Sequence, residues 1–247
     1  MNPWENTAPH VLYKYLHPDR LWVPSDCRVR FSQRSVLPDN NELRPNVAKF
    51  GTSDEIWRFV LKSGMHLPPG MPPSVLIQLI AATSSAQERA TRTALASINS
   101  LDQFGIFCLT ERADSEQMWA EYADACTGFV VAFSTEHASF RQLTSPGKFG
   151  KVAYTNVPYG TYLGTMESAG VSFFFVKRTA YGIEREWRSI RALQRLQRLP
   201  GDVYLSNFDP QSVREIIIRP NRTVETPLRQ IVESDVRYGH VQVRIVP

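Results

Sequence analysis

The sequence has little of what marks a secreted, zinc-binding or membrane-spanning protein. Its 247 residues include three cysteines, Cys27, Cys108 and Cys126, an odd number without C-x-x-C spacing. This argues against a disulfide framework or a zinc knuckle and predicts a reducing compartment. No apolar run approaches the roughly 18 residues of a membrane span, and the first ten residues do not have the pattern of a secretion signal. We therefore expect a cytoplasmic protein that has no membrane partner.

Motifs of several common enzyme classes are also missing. The chain contains no G-x-G-x-x-G, no G-x-x-x-x-G-K-[ST], no H-E-x-x-H and no G-x-S-x-G. These absences disfavour dinucleotide-fold oxidoreductases, P-loop enzymes, zincins and α/β-hydrolases. The five histidines are scattered along the chain without the spacing of metal ligands, so the sequence supports no metal site.

The positive charge of the chain is regional. Net charge is +4, but residues 177–222 hold ten Lys/Arg against five Asp/Glu, which leaves the remainder near neutrality. Such a local excess favours an anionic partner, either a phosphate-bearing small molecule or a nucleic acid. The charge does not choose between them.

Hydrophobic patterning predicts short strands that alternate irregularly with helices. The predicted strands are 11–15, 27–32, 105–110, 129–133, 151–155, 184–193, 213–218 and 240–246, and the predicted helices include 165–180, 223–236 and one that Asp114 caps and that ends near Cys126. Thr52 and Glu55 match a capping box that opens a helical subregion over about 52–104, and the proline-rich segment 67–74 is a predicted hinge. The expected fold class is α+β, a single domain over 1–247 with a mainly antiparallel mixed sheet flanked by helices.

Two glutamates make 184–193 the most informative segment. If it is a strand, Glu184, Glu186 and Arg188 point to one face while Trp187 points to the other. Like charges on neighbouring positions of one face repel each other. One interpretation is a solvated strand edge that Arg188 neutralises, and the other is a carboxylate-lined cleft.

An ordered set of short motifs carries a family resemblance. The motifs are LYKY at 12–15, Phe31-Ser32, MWAEYA at 118–123 before Gly128, Val152-x-Tyr154, and Lys177 before EREWR at 184–188. In this order they resemble a widespread bacterial family described as a domain of unknown function, which often occurs with mobile elements and phage-defence genes. The chain departs from the family after Ser32, because VLPDNNELRP stands where relatives have a Phe-Asn-Asp-Pro motif.

The order of elements also resembles that of ADP-ribosyltransferases. These have an aromatic and basic motif on a first strand, a serine after a later strand and an E-x-E on a late strand. The resemblance implies NAD as substrate, with Glu186 and Glu184 as catalytic residues. Glu186 would hold the ribose hydroxyl and stabilise the oxocarbenium-like charge, and Glu184 would orient or deprotonate the nucleophile. The implied NAD-binding residues are Tyr13, Lys14, Tyr15, Arg28, Ser32, Trp119 and Tyr122.

Other functions fit the same residues. The chain is expected to be a toxin or phage-defence effector with a protein or nucleic-acid acceptor and an antitoxin or another defence protein as partner. A second hypothesis is a non-catalytic module that binds nucleic acid or a nucleotide through residues 177–222. A third is a metal-dependent nuclease that uses Glu184, Glu186 and Lys177, with Asp114 as a further carboxylate.

Overall fold

A computed structural model describes residues 8–37, 51–62, 70–79, 103–145, 147–157, 172–220 and 222–247. The strands are β1 (Val11–Leu16), β2 (Arg28–Phe31), β3 (Phe104–Thr110), β4 (Phe129–Ser134), β5 (Lys148–Lys151), β6 (Ala153–Tyr154), β7 (Val176–Lys177), β8 (Glu186–Ala192), β9 (Gln197–Leu199), β10 (Val203–Asn207), β11 (Val213–Ile218) and β12 (Gln242–Ile245). The helices are α1 (Trp22–Asp26), α2 (Ser53–Lys62), α3 (Glu116–Tyr122), α4 (Arg141–Thr144) and α5 (Arg222–Ser234), with a further helical segment at 73–79. The predicted α+β fold class is confirmed.

The main sheet has seven strands in the order β12-β11-β4-β1-β3-β8-β5. All of its pairs are antiparallel except β11 with β12. A three-stranded sheet, β2-β10-β9, and a two-stranded parallel pair, β6-β7, complete the described strands. The predicted mainly antiparallel mixed sheet is therefore present.

Both faces of the main sheet are covered, which explains its continuous apolar strands. In β4, Phe133 belongs to the larger core together with Phe31 of β2 and Leu228 of α5. The neighbouring Val130 points to the other face and packs near Trp119 of α3. Every residue of β4 is buried, as expected of a strand that lies between two packed layers.

Local chemistry accounts for several element boundaries. The Thr52 amide donates to Glu55 Oε2 over 2.7 Å, and the Glu55 amide donates to Thr52 Oγ1 over 3.3 Å, so the predicted capping box is confirmed. The cap of α3 is Ser115 rather than Asp114, because its hydroxyl accepts from the Met118 amide while Asp114 pairs with Arg112. The helix also ends at Tyr122 rather than near Cys126.

Three predicted elements differ from the structure. The helix predicted over 165–180 is wrong for its described part, where a 3-10 turn (Ser172–Phe175) leads into β7 and a second 3-10 segment begins at Thr179. The strand predicted over 151–155 is divided between β5 and β6. The strand predicted from Glu184 begins at Glu186.

Most of the predicted helical subregion and hinge lies outside the described residues. Within the hinge, Gly70 has a φ of +80°, and helical structure begins at 73. The division of the chain into domains stays a prediction. The loop predicted over 33–51 is described only at its two ends.

Candidate functional site

The main sheet separates between β1 and β3, and this gap forms the candidate site. The two strands pair at a single position, Tyr13 with Thr110. Further along β3, Ile106 exchanges both backbone hydrogen bonds with Ser32, at the end of β2, over 2.9 Å each. Because β1 lies beside β3 at one end and β2 at the other, a wedge opens between them. Alternation directs the backbone amide and carbonyl of Cys108 toward that wedge.

A cleft with a volume of about 150 Å³ occupies the wedge. This volume is below the roughly 300–1,000 Å³ of sites that enclose a drug-sized ligand, so a larger ligand would fill the cleft only in part. Its polar and aromatic lining residues are Tyr13, Lys14, Tyr15, Arg30, Ser32, Cys108, Thr110, Tyr122, Lys177, Glu184 and Glu186. Five separated segments of the chain, within 13–15, 30–37, 106–110, 118–122 and 177–186, therefore meet at one concave surface.

A left-handed residue brings the two glutamates together. Glu184 ends a 3-10 helix (Thr179–Glu184), Glu186 begins β8, and Arg185 between them has a φ of +42°. The Thr110 hydroxyl donates to the Glu184 carbonyl over 2.5 Å and holds this turn against β3. The two carboxylates thus converge through a tight turn and not through strand alternation.

The glutamates belong to a buried cluster of four charged groups. Arg188 grips Glu186 with two hydrogen bonds, Nε to Oε1 over 2.8 Å and Nη2 to Oε2 over 2.9 Å. Lys177 Nζ lies 2.7 Å from Glu184 Oε2 and 3.4 Å from Glu186 Oε2. The exposed fractions of Glu184 and Glu186 are 4% and 5%, and that of Arg188 is 0%. The interpretation as a solvated strand edge is therefore wrong.

The surroundings shift the pKa values of the two carboxyl groups in opposite directions. Burial alone would raise the pKa of Glu186, but the charge of Arg188 and its hydrogen bonds outweigh burial and lower it to about 2. Burial raises the pKa of Glu184, and Lys177 offsets only part of that effect. One carboxylate is thus held ionised, while its neighbour accepts a proton more readily.

Two tyrosines, Tyr122 and Tyr154, form hydrogen bonds with the two glutamates. The Tyr122 hydroxyl donates to Glu184 Oε1 over 2.8 Å, and the Tyr154 hydroxyl accepts from the Glu186 amide over 2.7 Å. Burial raises the pKa of both phenols. Burial also raises the pKa of Tyr15 to about 12, although a contact with the Ser115 backbone opposes that rise. The Tyr15 hydroxyl is fully enclosed, so only the ring of Tyr15 borders the cleft.

Most of the residues expected from the sequence lie at this cleft. Of the nine, the seven that line it are Tyr13, Lys14, Tyr15, Ser32, Tyr122, Glu184 and Glu186. Arg28 does not, because it lies at the far end of β2 and pairs with Asp26 over 2.5 Å. Four residues of extended chain, about 13 Å, separate it from Ser32.

Trp119 also lies outside the cleft lining. Its exposed fraction is 1%, its indole N–H donates to the Ala113 carbonyl over 3.0 Å, and the Arg219 guanidinium lies 5.3 Å from its ring centre. Its ring packs edge-on against Tyr15 at 5.3 Å. Trp119 is therefore a core residue that supports a cleft residue from behind.

Arg30, Thr110 and Cys108 line the cleft but were not among the expected site residues. Alternation in β2 puts Arg28, Arg30 and Ser32 on one face. Arg30 is nearer to Ser32 than Arg28 is, so Arg30 is the better candidate for a site residue. No local pattern singles out Thr110 or Cys108. Burial raises the pKa of the Cys108 thiol, which keeps it protonated and makes it a weak nucleophile.

Five of the ten basic residues of the segment 177–222 are buried or form ion pairs in the described structure. Lys177 and Arg188 serve the buried cluster, and Arg191 is also buried. Arg198 pairs with Asp202, and Arg219 pairs with Glu116. Half of the ten basic residues are thus occupied within the fold, which weakens the nucleic-acid hypothesis.

No family model, no curated protein and no solved structure compared with the chain matches it. Within the described ranges, no group of three or more His, Cys, Asp or Glu side chains is arranged to hold a metal ion. In the same ranges, none of the helices combines the length and the apolar character that crossing a membrane requires.

Proposed function

We propose that the cleft between β1 and β3 binds NAD and that the chain is an ADP-ribosyltransferase-like enzyme, acting as a transferase or as an NAD glycohydrolase. The observation that carries the proposal is the pair of glutamates whose surroundings shift their pKa values apart within one cleft. Such pairs commonly divide the work of catalysis between a charged stabiliser and a proton acceptor.

Glu186 suits electrostatic stabilisation. Cleavage of the bond between nicotinamide and ribose develops positive charge at the sugar, and a fixed anion lowers the energy of that transition state. Arg188 orients the Glu186 carboxylate at both oxygens and keeps it ionised. The group is thus already in place before the reaction begins and need not reorganise.

Glu184 suits proton transfer from the nucleophile. Its raised pKa brings it closer to neutral pH than Glu186, which favours a general base. Tyr122 and Lys177 each bind one of its oxygens and fix its direction. The nucleophile would be a group on an acceptor in a transferase and water in a glycohydrolase.

The aromatic side of the cleft suits the nicotinamide ring. Tyr13 is half-buried at the wedge and can lie against a flat ring, and the Tyr15 ring adds aromatic surface beside it. Ser32 adds a hydroxyl where β2 reaches β3. The acceptor, and the role as a toxin or defence effector with an antitoxin partner, follow only from the resemblances.

The proposal is tested by measuring nicotinamide release from NAD for the wild-type protein and for single variants. Glu186→Gln should slow release by about 100- to 1,000-fold, the usual effect of removing one preorganised group. Glu184→Gln should reduce transfer to an acceptor more than it reduces NAD cleavage. Glu233→Gln, on the exposed side of α5, makes the same chemical change away from the cleft and should have no effect. Wild-type rates in Glu186→Gln would refute the proposal.

A further inference from the structure

A second cavity with a volume of about 170 Å³ adjoins the cleft. It lies between β1, β2 and α1, and Trp22 of α1 and Phe107 of β3 contribute aromatic surface. Lys14, Arg30 and Ser32 line both cavities, so the two spaces lie on either side of these side chains. Glu184 and Glu186 line the first cavity and not the second, and Trp22 lines the second and not the first.

The second cavity is positively charged. Lys14, Arg20 and Arg30 line it, and among the described residues no carboxylate does. Arg20 pairs with Asp19 over 3.3 Å at the exposed surface. Across the described ranges, neither Lys14 nor Arg30 forms an ion pair. Lys14 lies over the Phe107 ring, 5.5 Å from its centre.

Clustered cations are costly when they are half-buried and only one of them, Arg20, has a carboxylate partner among the described residues. Each of the three side chains is partly withdrawn from solvent. Burial, and after it the charge of Arg20, lower the pKa of Arg30, which shows that the guanidinium charge is disfavoured where it stands. A bound anion would relieve this repulsion. Guanidinium and ammonium groups together match the oxygens of a phosphate.

We infer that this second cavity binds the phosphate-bearing end of a nucleotide, with Lys14 and Arg30 on the phosphates and Trp22 against the base. Lys14 and Arg30 stand at the junction of the two cavities, where the diphosphate of a dinucleotide would pass. Trp22 lies beyond them with a face wide enough for a purine. The inference rests on the proposed function, because the assignment of the glutamate end to the nicotinamide riboside fixes which end lies here.

The test is calorimetric titration of the full chain with ADP-ribose and, separately, with inorganic pyrophosphate. Arg30→Gln should weaken the binding of both ligands by about 10- to 100-fold, since it removes a charge-assisted contact. Trp22→Leu should weaken the binding of ADP-ribose but leave the affinity for pyrophosphate within about twofold, because only ADP-ribose has a base. Arg195→Gln removes an exposed cation elsewhere and should leave both affinities within about twofold. Circular dichroism confirms that each variant is folded.

The outcomes separate this inference from the proposed reaction. Binding of ADP-ribose that depends on Arg30, with no nicotinamide release from NAD, would support the nucleotide site and refute the reaction. NAD cleavage with the same KM in wild type and Arg30→Gln would support the reaction and overturn the nucleotide site. Equal affinities of wild type, Arg30→Gln and Trp22→Leu for ADP-ribose would likewise overturn it.

Discussion

Replacing Glu186 with Gln should lower the stability of the folded protein as well as its catalytic rate. Arg188 is fully buried and donates two hydrogen bonds to this carboxylate, and its Nη1 also donates to the Phe174 carbonyl over 2.6 Å. Gln can accept one of those bonds but cannot balance the guanidinium charge. Removing one partner of a buried pair costs about 3–5 kcal/mol. That is a large part of the 5–15 kcal/mol that holds a typical domain together.

Urea unfolding followed by tryptophan fluorescence measures this loss. With a slope near 3 kcal/mol/M, the midpoint of Glu186→Gln should fall by roughly 1–1.7 M. A double variant, Glu186→Met with Arg188→Met, replaces the pair by apolar groups and should recover most of the loss. Glu233→Gln is the matched control and should unfold like the wild type. A midpoint for Glu186→Gln that corresponds to a loss below about 1 kcal/mol would show a weak, solvent-screened pair and refute the reasoning.

Three further changes have defined outcomes. The folded pKa of Glu186 is about 2 against its usual 4.5, so Glu186 contributes roughly 3 kcal/mol to the free energy of unfolding above about pH 4.5, and this contribution is lost as pH falls toward 2. Glu184 acts in the opposite sense, because its pKa is raised. The free energy of unfolding should therefore be measured against pH for the wild type and for Glu186→Gln, and the difference between the two curves gives the contribution of Glu186. Gly128→Ala should lower the free energy of unfolding, measured with urea, by more than about 2 kcal/mol, because the new Cβ would lie 2.1 Å from the Leu16 carbonyl oxygen. An unchanged free energy of unfolding would contradict this close approach. Arg185→Val should destabilise the protein by more than about 1 kcal/mol in thermal unfolding, whereas Arg185→Asn should be tolerated, because a β-branched residue fits a positive φ poorly. Equal effects of the two substitutions would exclude the left-handed turn.

The strands were predictable because apolar alternation is a local property. The period-two pattern at β1 and β2 and the apolar runs at β4 and β11 match the structure within two residues at each end. The run at 173–176 was assigned to a helix, because a short apolar segment has the same composition in either state. Its buried phenylalanines, Phe174 and Phe175, pack with Ile106 and Ile190 instead.

The site was only partly predictable because its contacts join distant segments. The register of β3 with β8 sets Cys108 opposite Arg188 and Thr110 opposite Glu186. The sequence around Cys108 and Thr110 contains no pattern that predicts this pairing. Strand alternation correctly places Glu186 and Arg188 together. It fails at Glu184, where the left-handed Arg185 lies outside the rules of a regular strand.

The helix face at Trp119 and Tyr122 shows the same limit. Spacing of three residues put both side chains on one side of α3, but it cannot tell which of them reaches the cleft. Trp119 fills the core beside Tyr15, and Tyr122 extends over the turn to Glu184. Tertiary packing decides between the two roles.

The most direct measurement is incubation of the wild-type protein with NAD labelled separately in the nicotinamide and in the adenosine. We predict that free nicotinamide accumulates and that the adenosine label appears as ADP-ribose or on a protein or nucleic-acid acceptor, with a KM no higher than about 1 mM. If neither label moves and NAD does not bind at about that concentration, the cleft is not an NAD site.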